Sequence, residues 1–305
     1  MTGLLALIVT GGFAALIATV HAGAGGTGFW MGVVATTLLA AWLVQRLGDA
    51  PDRGLPALAA PVAFGATVLA LWEVLVLGLS VPMVLLPAPS AIAARAWLAA
   101  PMLWGDFAQT FLKAVLSGYV IGCGAGFALA LVADRLPFLR RGLLPLGNLV
   151  AALPVVGIAP ILVMWFGFDW QSKAAVVVAM TFFPMLVNTV AGLAAAGALE
   201  RDLMRSYAAS PGQTLWLLKL PSALPFIFTA LKVNAPLALI GAIVAEFFGS
   251  PTQGMGFRIT TEAAKLALDL VWAEIVVAAV AGSAFYGLVA LAERAATFWH
   301  PSVRP

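Results

Sequence analysis

Long runs without charged residues divide the chain into predicted membrane-spanning segments. A helix that crosses a bilayer needs about 20 mostly apolar residues, and eight stretches of the sequence come close to that requirement. Their approximate bounds are 4–20, 29–44, 57–79, 111–132, 146–166, 174–193, 224–248 and 271–291. A transmembrane β-barrel would instead show segments of about 10 residues with alternating polarity. Because these runs are continuously apolar and longer, the pattern predicts an all-α polytopic membrane protein.

The composition strengthens this prediction. Hydrophobic residues make up 63% of the chain and charged residues 10%, whereas soluble domains have about 45–50% and about 25%. A soluble fold could not cover so much apolar surface, and disordered chains are polar. The net charge of +3 is spread over the connections between the runs. We therefore expect lipid, and not nucleic acid, around the protein.

The basic residues also predict an orientation. With the N-terminus in the cytoplasm, ten Lys and Arg residues fall on the cytoplasmic side and five outside, as the positive-inside rule requires. Both termini are then cytoplasmic. The first run could alternatively be a cleaved signal peptide. No basic residue precedes it, however, and the run exceeds the usual 7–15 apolar residues, so a span is favoured.

Two connections are unusually long. The outer one, 80–110, contains Ser90, which we expect to cap a short helix on the membrane surface that ends near Ala99. The cytoplasmic one, 194–222, is polar and long enough for one or two short amphipathic helices that dock on a partner. A solvated loop is the alternative interpretation of this second connection.

Small residues and prolines distinguish two of the predicted spans. Gly118, Gly122 and Gly126 recur every four residues, which predicts one helix face that another helix approaches closely. Pro154 and Pro160 predict a kinked fifth helix. Kinked helices in transporters can expose backbone carbonyls to a cavity.

Two charged residues lie well inside the predicted spans, Glu73 and Lys232. A lone charge in hydrocarbon is costly, so one hypothesis is a structural pair. The rise of a helix places the two residues at depths that differ by ~12 Å, which is a long reach for a lysine side chain. The alternative is that Lys232 faces water or a substrate.

No catalytic chemistry is indicated. The sequence has no Gly followed by Lys, so it lacks the loop that cradles the phosphates of ATP. Its two histidines and single cysteine form no zinc-binding spacing and no arguable triad. We predict that the chain is not an enzyme and needs no cofactor. Its energy must come from an ion gradient, as in an ion-coupled secondary transporter, or from another subunit.

The connection 194–222 resembles the EAA loop of ABC-importer permeases. The pattern of that family is E-A-A, three residues, Gly, nine residues, an aliphatic residue, one residue, then L-P, and every spacing fits here. The matching positions are Asp202 for the glutamate, Leu203 and Met204 for the alanines, Ala208 for the glycine, and Leu220 and Pro221 for L-P. The residue types differ from the family's at the first four of these positions, whereas Leu220 and Pro221 match it.

This resemblance implies that residues 200–211 form the coupling helix. Leu203, Met204 and Tyr207 are spaced to share one helix face. We predict that this face enters a groove on the ATPase subunit.

Further stretches are similar to one branch of these permeases, the sulfonate/nitrate/taurine type, which includes permeases for pyrimidine precursors of thiamine. The similarity extends over about 56–299, and its stretches are Leu86-Pro87-Ala88-Pro89-Ser90, Ala152 to Pro160, Trp165-Phe166-Gly167, Phe183-Pro184 with Asn188, and Ala245-Glu246 ahead of Gly254.

The resemblance implies a type I ABC-importer permease core of six transmembrane helices at 57–299. Residues 1–45 would add two N-terminal helices, joined through a cytoplasmic linker at 46–56. The family's assembly is a permease homodimer with two cytoplasmic ATPase subunits and an extracytoplasmic substrate-binding protein at the bacterial inner membrane. The ATPase subunits hydrolyse ATP, and the solute is small and polar, such as a thiamine pyrimidine precursor, a sulfonate or nitrate.

The translocation path is predicted along the fifth to seventh spans. Its candidate residues are Pro154, Met164, Asn188 and Glu246, with the in-span charges Glu73 and Lys232 as further candidates. For Glu246 the alternative is a place at the outer interface, since it lies near the end of its span.

Overall fold

The computed structural model describes residues 2–22, 26–49, 55–136, 138–139, 142, 154–249 and 252–299. Over these residues the chain is helical and contains no strand, which confirms the all-α prediction. The helices are α1 (Thr2–His21), α2 (Thr27–Gly48), α3 (Leu55–Gly78), α4 (Pro89–Leu98), α5 (Ala100–Arg135), α6 (Val155–Phe166), α7 (Trp170–Ala194), α8 (Ala198–Ser206), α9 (Pro211–Phe247), α10 (Met255–Ala264) and α11 (Leu268–Ala296).

Six of the described helices are long and apolar enough to cross a membrane: α2, α3, α5, α7, α9 and α11. α1 and α6 are also apolar, but they are shorter over the described residues. The predicted fifth span, 146–166, is described only from residue 154 onward. There Pro154 precedes the helix, which begins at Val155. The sequence predicted kinks at both Pro154 and Pro160. Pro154 lies outside α6 and does not kink it, whereas Pro160 lies inside the helix.

Two helices are longer than the apolar pattern indicated. α5 begins before the predicted span 111–132, and α9 before 224–248. Each contains a π-helical segment, Ala108–Val115 across the junction of the added part of α5 with the predicted span, and Leu215–Lys219 within the added part of α9. The added parts are polar in places, so a search for apolar runs misses them.

The chain forms two compact units, and each is described by itself. The first comprises residues 1–99 and 262–273. Here α1, α2 and α3 pack around an apolar cluster that includes Phe13, Val33, Leu43 and Val74. The two N-terminal helices thus have a shared core with α3.

Glu73 forms a polar contact within this first unit. Its carboxylate accepts hydrogen bonds from the backbone N–H of Ser90 at 2.9 Å and from the Ser90 hydroxyl at 2.6 Å. The expectation that Ser90 caps α4 is wrong, because Ala88 is the N-cap residue and the hydroxyl donates to Glu73 instead. α4 extends over Pro89–Leu98, close to the expected end.

The second unit comprises residues 100–261 and 274–305, and its core lies where α5, α7 and α9 meet. A Cβ atom added at Gly118 would lie 2.6 Å from the carbonyl oxygen of Ala174, and one at Gly126 would lie 2.5 Å from that of Phe182. A Cβ atom added at Gly122 would meet the Thr181 hydroxyl and would lie 3.0 Å from the Cα atom of Val178. The predicted glycine face is therefore confirmed, and the helix that approaches it is α7.

The glycine face yields a prediction about stability. Gly126→Ala places a methyl group against the backbone of α7, and we expect it to destabilise the protein by about 1–3 kcal/mol. Gly124→Ala is the matched control, since a Cβ there meets nothing within 4 Å. Both changes carry the same gain in helix propensity. Thermal unfolding in detergent should show a lower midpoint for Gly126→Ala alone. Equal midpoints would contradict the close approach.

Candidate functional site

The connection between α7 and α9 carries the short helix α8, which presents apolar side chains to the surface. Leu199, Leu203 and Tyr207 follow one another at intervals of four residues, and their exposed fractions are 82%, 56% and 79%. None of the α8 residues is buried. Intervals of four residues keep side chains on one face of a helix. α8 is thus an exposed amphipathic element.

The end of α8 departs from the expected helix over 200–211. The helix stops at Ser206, and Ala208 adopts the left-handed conformation with φ of 52°. The N–H of Ala209 donates to the carbonyl of Met204, and the N–H of Ala208 donates to that of Arg205. This pair of bonds is a Schellman motif, whose left-handed position favours glycine. Ala208 is the residue that aligns with the family's glycine.

The next helix starts immediately after this turn. Ser210 and Gln213 form a reciprocal capping box in front of Pro211, which satisfies backbone N–H groups that a helix start leaves free. Leu220 and Pro221 lie farther along α9 and are half-buried. They do not share the exposed face of Leu203 and Tyr207, so the structure separates the L-P positions from the rest of the motif.

A buried polar network surrounds the start of α10. Glu246 is 3% exposed, and its two carboxylate oxygens accept hydrogen bonds from the Thr110 hydroxyl and the Gly256 N–H, both at 2.7 Å. Asp106 accepts from the N–H of Gly254 at 2.7 Å and from Arg258 at 2.8 Å. These carboxylates supply the acceptors that the first turn of a helix lacks. Glu246 therefore lies inside a buried hydrogen-bond network.

Sequence reasoning missed most of this network. Asp106 and Thr110 stand one helical turn apart on α5, just before the predicted span, and Gly254 adopts φ of 136° at the helix start. The signal in the sequence was this pair of polar residues, spaced by one helical turn. Its partners come from α9 and α10, which only tertiary structure brings to it.

A second polar group lies at the start of α7. Asp169 accepts a hydrogen bond from the N–H of Trp170 at 2.8 Å and from Gln109 at 2.6 Å. Both bonds hold the pKa of Asp169 below its usual range, and the bond from Trp170 has the larger effect. Lys173, which is 1% exposed, donates to the carbonyls of Phe168 and Gly249. The start of α7 is thereby tied to the end of α9.

The hypothesis that Glu73 and Lys232 pair is wrong. Lys232 forms an ion pair with Glu293 of α11 at 2.6 Å, and the carboxylate of Glu73 is bound by Ser90. Glu293 lies after the predicted end of the eighth span, and the apolar pattern therefore did not place it opposite Lys232. Both in-span charges have partners, as the cost of a lone buried charge requires.

The remaining path candidates lie on α6 and α7. Asn188 donates to the carbonyl of Pro184 at 2.8 Å, beside the proline inside α7. Pro154 is exposed at the start of α6, and Met164 is 83% exposed near its end. The structure thus places Asn188 at a helix irregularity and Met164 on the surface of the described chain.

The fold and these sites are those of a helical membrane permease. The amphipathic connection between two of its spans is exposed and available to a partner. The profile of one family, the binding-protein-dependent transport system inner membrane component, matches residues 118–298. The chain belongs to this family, and it is a permease subunit of an ABC importer. ABC permeases are the non-catalytic subunits of their transporters, and the ion-coupled alternative is set aside.

Several curated proteins are similar along most of the chain. The formylaminopyrimidine transport permease protein ThiX of Halalkalibacterium halodurans is 34% identical over 65% of this chain and 78% of its own length. The riboflavin transport system permease protein RibX of Chloroflexus aurantiacus is 30% identical over 81% and 92%. The taurine transport system permease protein TauC of Escherichia coli is 30% identical over 76% and 86%.

The left-handed residue after α8 yields a prediction. Ala208→Gly removes the steric cost of this conformation and should stabilise the end of α8 by about 1 kcal/mol. Ala209→Gly is the control, because φ at Ala209 is not positive and glycine only adds flexibility there. Hydrogen exchange of residues 204–209 should slow in Ala208→Gly and quicken in Ala209→Gly. Faster exchange in both variants would contradict the Schellman geometry.

The ion pair between α9 and α11 yields another prediction. Lys232→Glu or Glu293→Lys alone places like charges in contact, and breaking a buried pair costs about 3–5 kcal/mol. The cost here is lower, since the two side chains remain 22% and 17% exposed. The double exchange should restore expression and thermal stability in detergent. A double variant as unstable as the single ones would show that the pair is not formed.

Proposed function

We propose that this permease works as a homodimer with two ATPase subunits, which bind at the connection 194–222, and with an extracytoplasmic substrate-binding protein. The observation that carries the proposal is the exposed apolar face of α8, Leu199, Leu203 and Tyr207, held between a Schellman motif and a capping box. Large apolar side chains exposed outside a membrane span are typical of a docking surface.

The docking element would transmit movement because the helix that follows it is tied to a second span. Lys219 in α9 forms an ion pair with Asp134 at the end of α5 at 2.8 Å, and both side chains are largely buried. Displacement of α8 by a partner would therefore act on α5 and α9, the helices that pack with α7 in the core. Asp202 forms only an exposed pair with Arg205, so its charge is available to the partner.

The orientation proposed for the permease follows the basic residues. Ten of them fall on one side and five on the other, which supports a position of both termini, and of α8, in the cytoplasm of a bacterial cell. In this arrangement residues 1–45 are an addition to the core at 57–299. ATP would be hydrolysed by the partner subunits on the same side as α8.

For the solute we propose a small polar compound, with a thiamine pyrimidine precursor first and a sulfonate or nitrate second. The relative ThiX at 34% identity supports the first choice, and TauC at 30% supports the second. RibX, also at 30%, extends the possible solutes to larger heterocycles. Selection in binding-protein-dependent systems lies largely with the binding protein, and the permease must only admit the solute.

The translocation path is proposed along α6 and α7, with Asn188 as its polar residue. Asn188 is half-buried beside Pro184, where the helix lacks one backbone N–H. Pro154 and Met164 flank the path on α6. Glu246 and Lys232 have their charges bound by other residues, so they would support the walls of the path without contacting the solute.

The coupling proposal predicts the effect of a double variant. Asp202→Lys with Tyr207→Ala should abolish solute uptake and reduce co-purification of the ATPase subunit, because it removes a charge and an apolar contact from the docking face. The permease itself should keep its thermal stability, since neither side chain is buried. Asp49→Lys, an exposed change at the end of α2, is the charge control. Normal uptake and co-purification in the double variant would refute the proposal.

The path proposal predicts cysteine accessibility. Asn188→Cys should react with a water-soluble thiol reagent, and trapping the ATPase with nucleotide should change the rate several-fold. Glu246→Cys lies in the closed network and should remain protected. The wild-type protein gives the background, since Cys123 is buried. A reaction at residue 188 that does not respond to nucleotide trapping would exclude Asn188 from the path.

A further inference from the structure

Glu274, near the start of α11, is a buried acid whose carboxyl group has no hydrogen-bond donor. Its exposed fraction is 0%. Neither of its oxygens accepts a hydrogen bond from a residue that the structure describes. An ionised carboxylate that is buried in this way has a large desolvation cost. The form in which Glu274 is buried therefore depends on the groups around it.

The groups that face Glu274 come from three other helices. Asp106 of α5 lies within hydrogen-bonding reach, Glu246 of α9 is a second acidic neighbour, and Arg258 of α10 is a basic neighbour. All of them belong to the second compact unit. Lys173 is close enough to Glu246 to interact with its charge. In this cluster three carboxyl groups therefore share two cations.

The two neighbouring acids of Glu274 have donors of their own. Asp106 accepts hydrogen bonds from the N–H of Gly254 at 2.7 Å and from the Arg258 guanidinium at 2.8 Å. Glu246 likewise accepts two hydrogen bonds. Glu274 is left with a carboxylate as its hydrogen-bonding neighbour, and a carboxylate can only accept. Two carboxyl groups in such a position form a bond when one of them carries a proton.

We propose that Glu274 is a proton-binding site, whose carboxyl group is protonated at neutral pH and donates a hydrogen bond to Asp106. The proton belongs on Glu274, because Asp106 already accepts from a guanidinium and a backbone N–H, whereas no donor stabilises a charge on Glu274. The shared proton ties α11 to α5 and, through the N–H of Gly254, to the start of α10. The alternative is an ionised Glu274 that accepts from a buried water molecule.

The bound proton makes this tie sensitive to pH. In an unfolded chain Glu274 would be ionised above about pH 4.3, so at neutral pH the folded protein binds one proton more than the unfolded one. Stability then falls as the pH rises, and the unfolding constant increases by up to about tenfold for each pH unit. Alkaline pH should therefore loosen α11 from α5 and α10. The docking of an ATPase and the choice of solute play no part in this inference.

Infrared spectroscopy of the purified permease tests the proposal. A protonated carboxyl group has a C=O stretch at a higher frequency than the stretches of a carboxylate. At about pH 7, where exposed acids are ionised, we expect a band of the wild type that disappears in Glu274→Gln. Glu293→Gln is the matched control on the same helix. Glu293 forms an ion pair with Lys232, so its replacement should leave this band unchanged.

Equilibrium unfolding in mixed detergent micelles between about pH 7 and about pH 9 is the second measurement. The amide of Glu274→Gln can donate to Asp106 as the acid does, so this variant should fold and lose the additional pH dependence. Relative to the variant, the unfolding constant of the wild type should rise by up to about tenfold per pH unit.

Two results would overturn the proposal. One is an equal pH dependence of unfolding in the wild type and in Glu274→Gln. The other is a wild-type spectrum without the band of a protonated carboxyl group at neutral pH, which requires no variant and would assign an ionised Glu274 to a buried water molecule.

Discussion

The close approach of α5 and α7 is the contact on which the second unit depends. Within a bilayer, helices gain little from burying apolar surface against each other, so they associate through short-range packing. The face made by Gly118, Gly122 and Gly126 brings the two backbones into direct contact. α9 then closes the group, and the amide of Asn234 donates to the carbonyl of Thr181 at 2.9 Å. A residue larger than glycine on this face would push α5 away from α7.

Several buried polar groups in this protein hold helices in place. Glu246 and Asp106 bind the first backbone N–H groups of α10, and Lys173 binds two backbone carbonyls between α7 and α9. Lys232 and Glu293 connect α9 to α11. A charge in a low-dielectric interior is tolerated only with close partners. These partners fix the ends and registers of helices whose apolar surfaces alone would allow sliding.

The turn at the end of α8 shows how a family pattern can be kept when its residues change. Its spacing is kept, while Ala208 stands where the family has glycine. The structure explains the family's preference, because this position is left-handed and a Cβ there has a steric cost. The alanine is accepted because two Schellman hydrogen bonds and the capping box that follows fix the chain on both sides. The shape of the turn therefore depends on backbone bonding more than on the residue type.

The class of the protein and the approximate positions of the six spans among its described helices followed from the sequence alone. Continuous apolar runs, the glycines at intervals of four and the spacing of the EAA-like loop are local properties, and a helix translates them directly into faces and lengths. Tertiary structure alone decided the partners of the charged residues. Glu73 is bound by Ser90 and Lys232 by Glu293. Which residue lies opposite a charge depends on how the helices pack, and the separation of two residues along the sequence does not reveal it. The same holds for the network at Glu246, whose acceptors and donors come from α5, α9 and α10 and meet only after these helices pack.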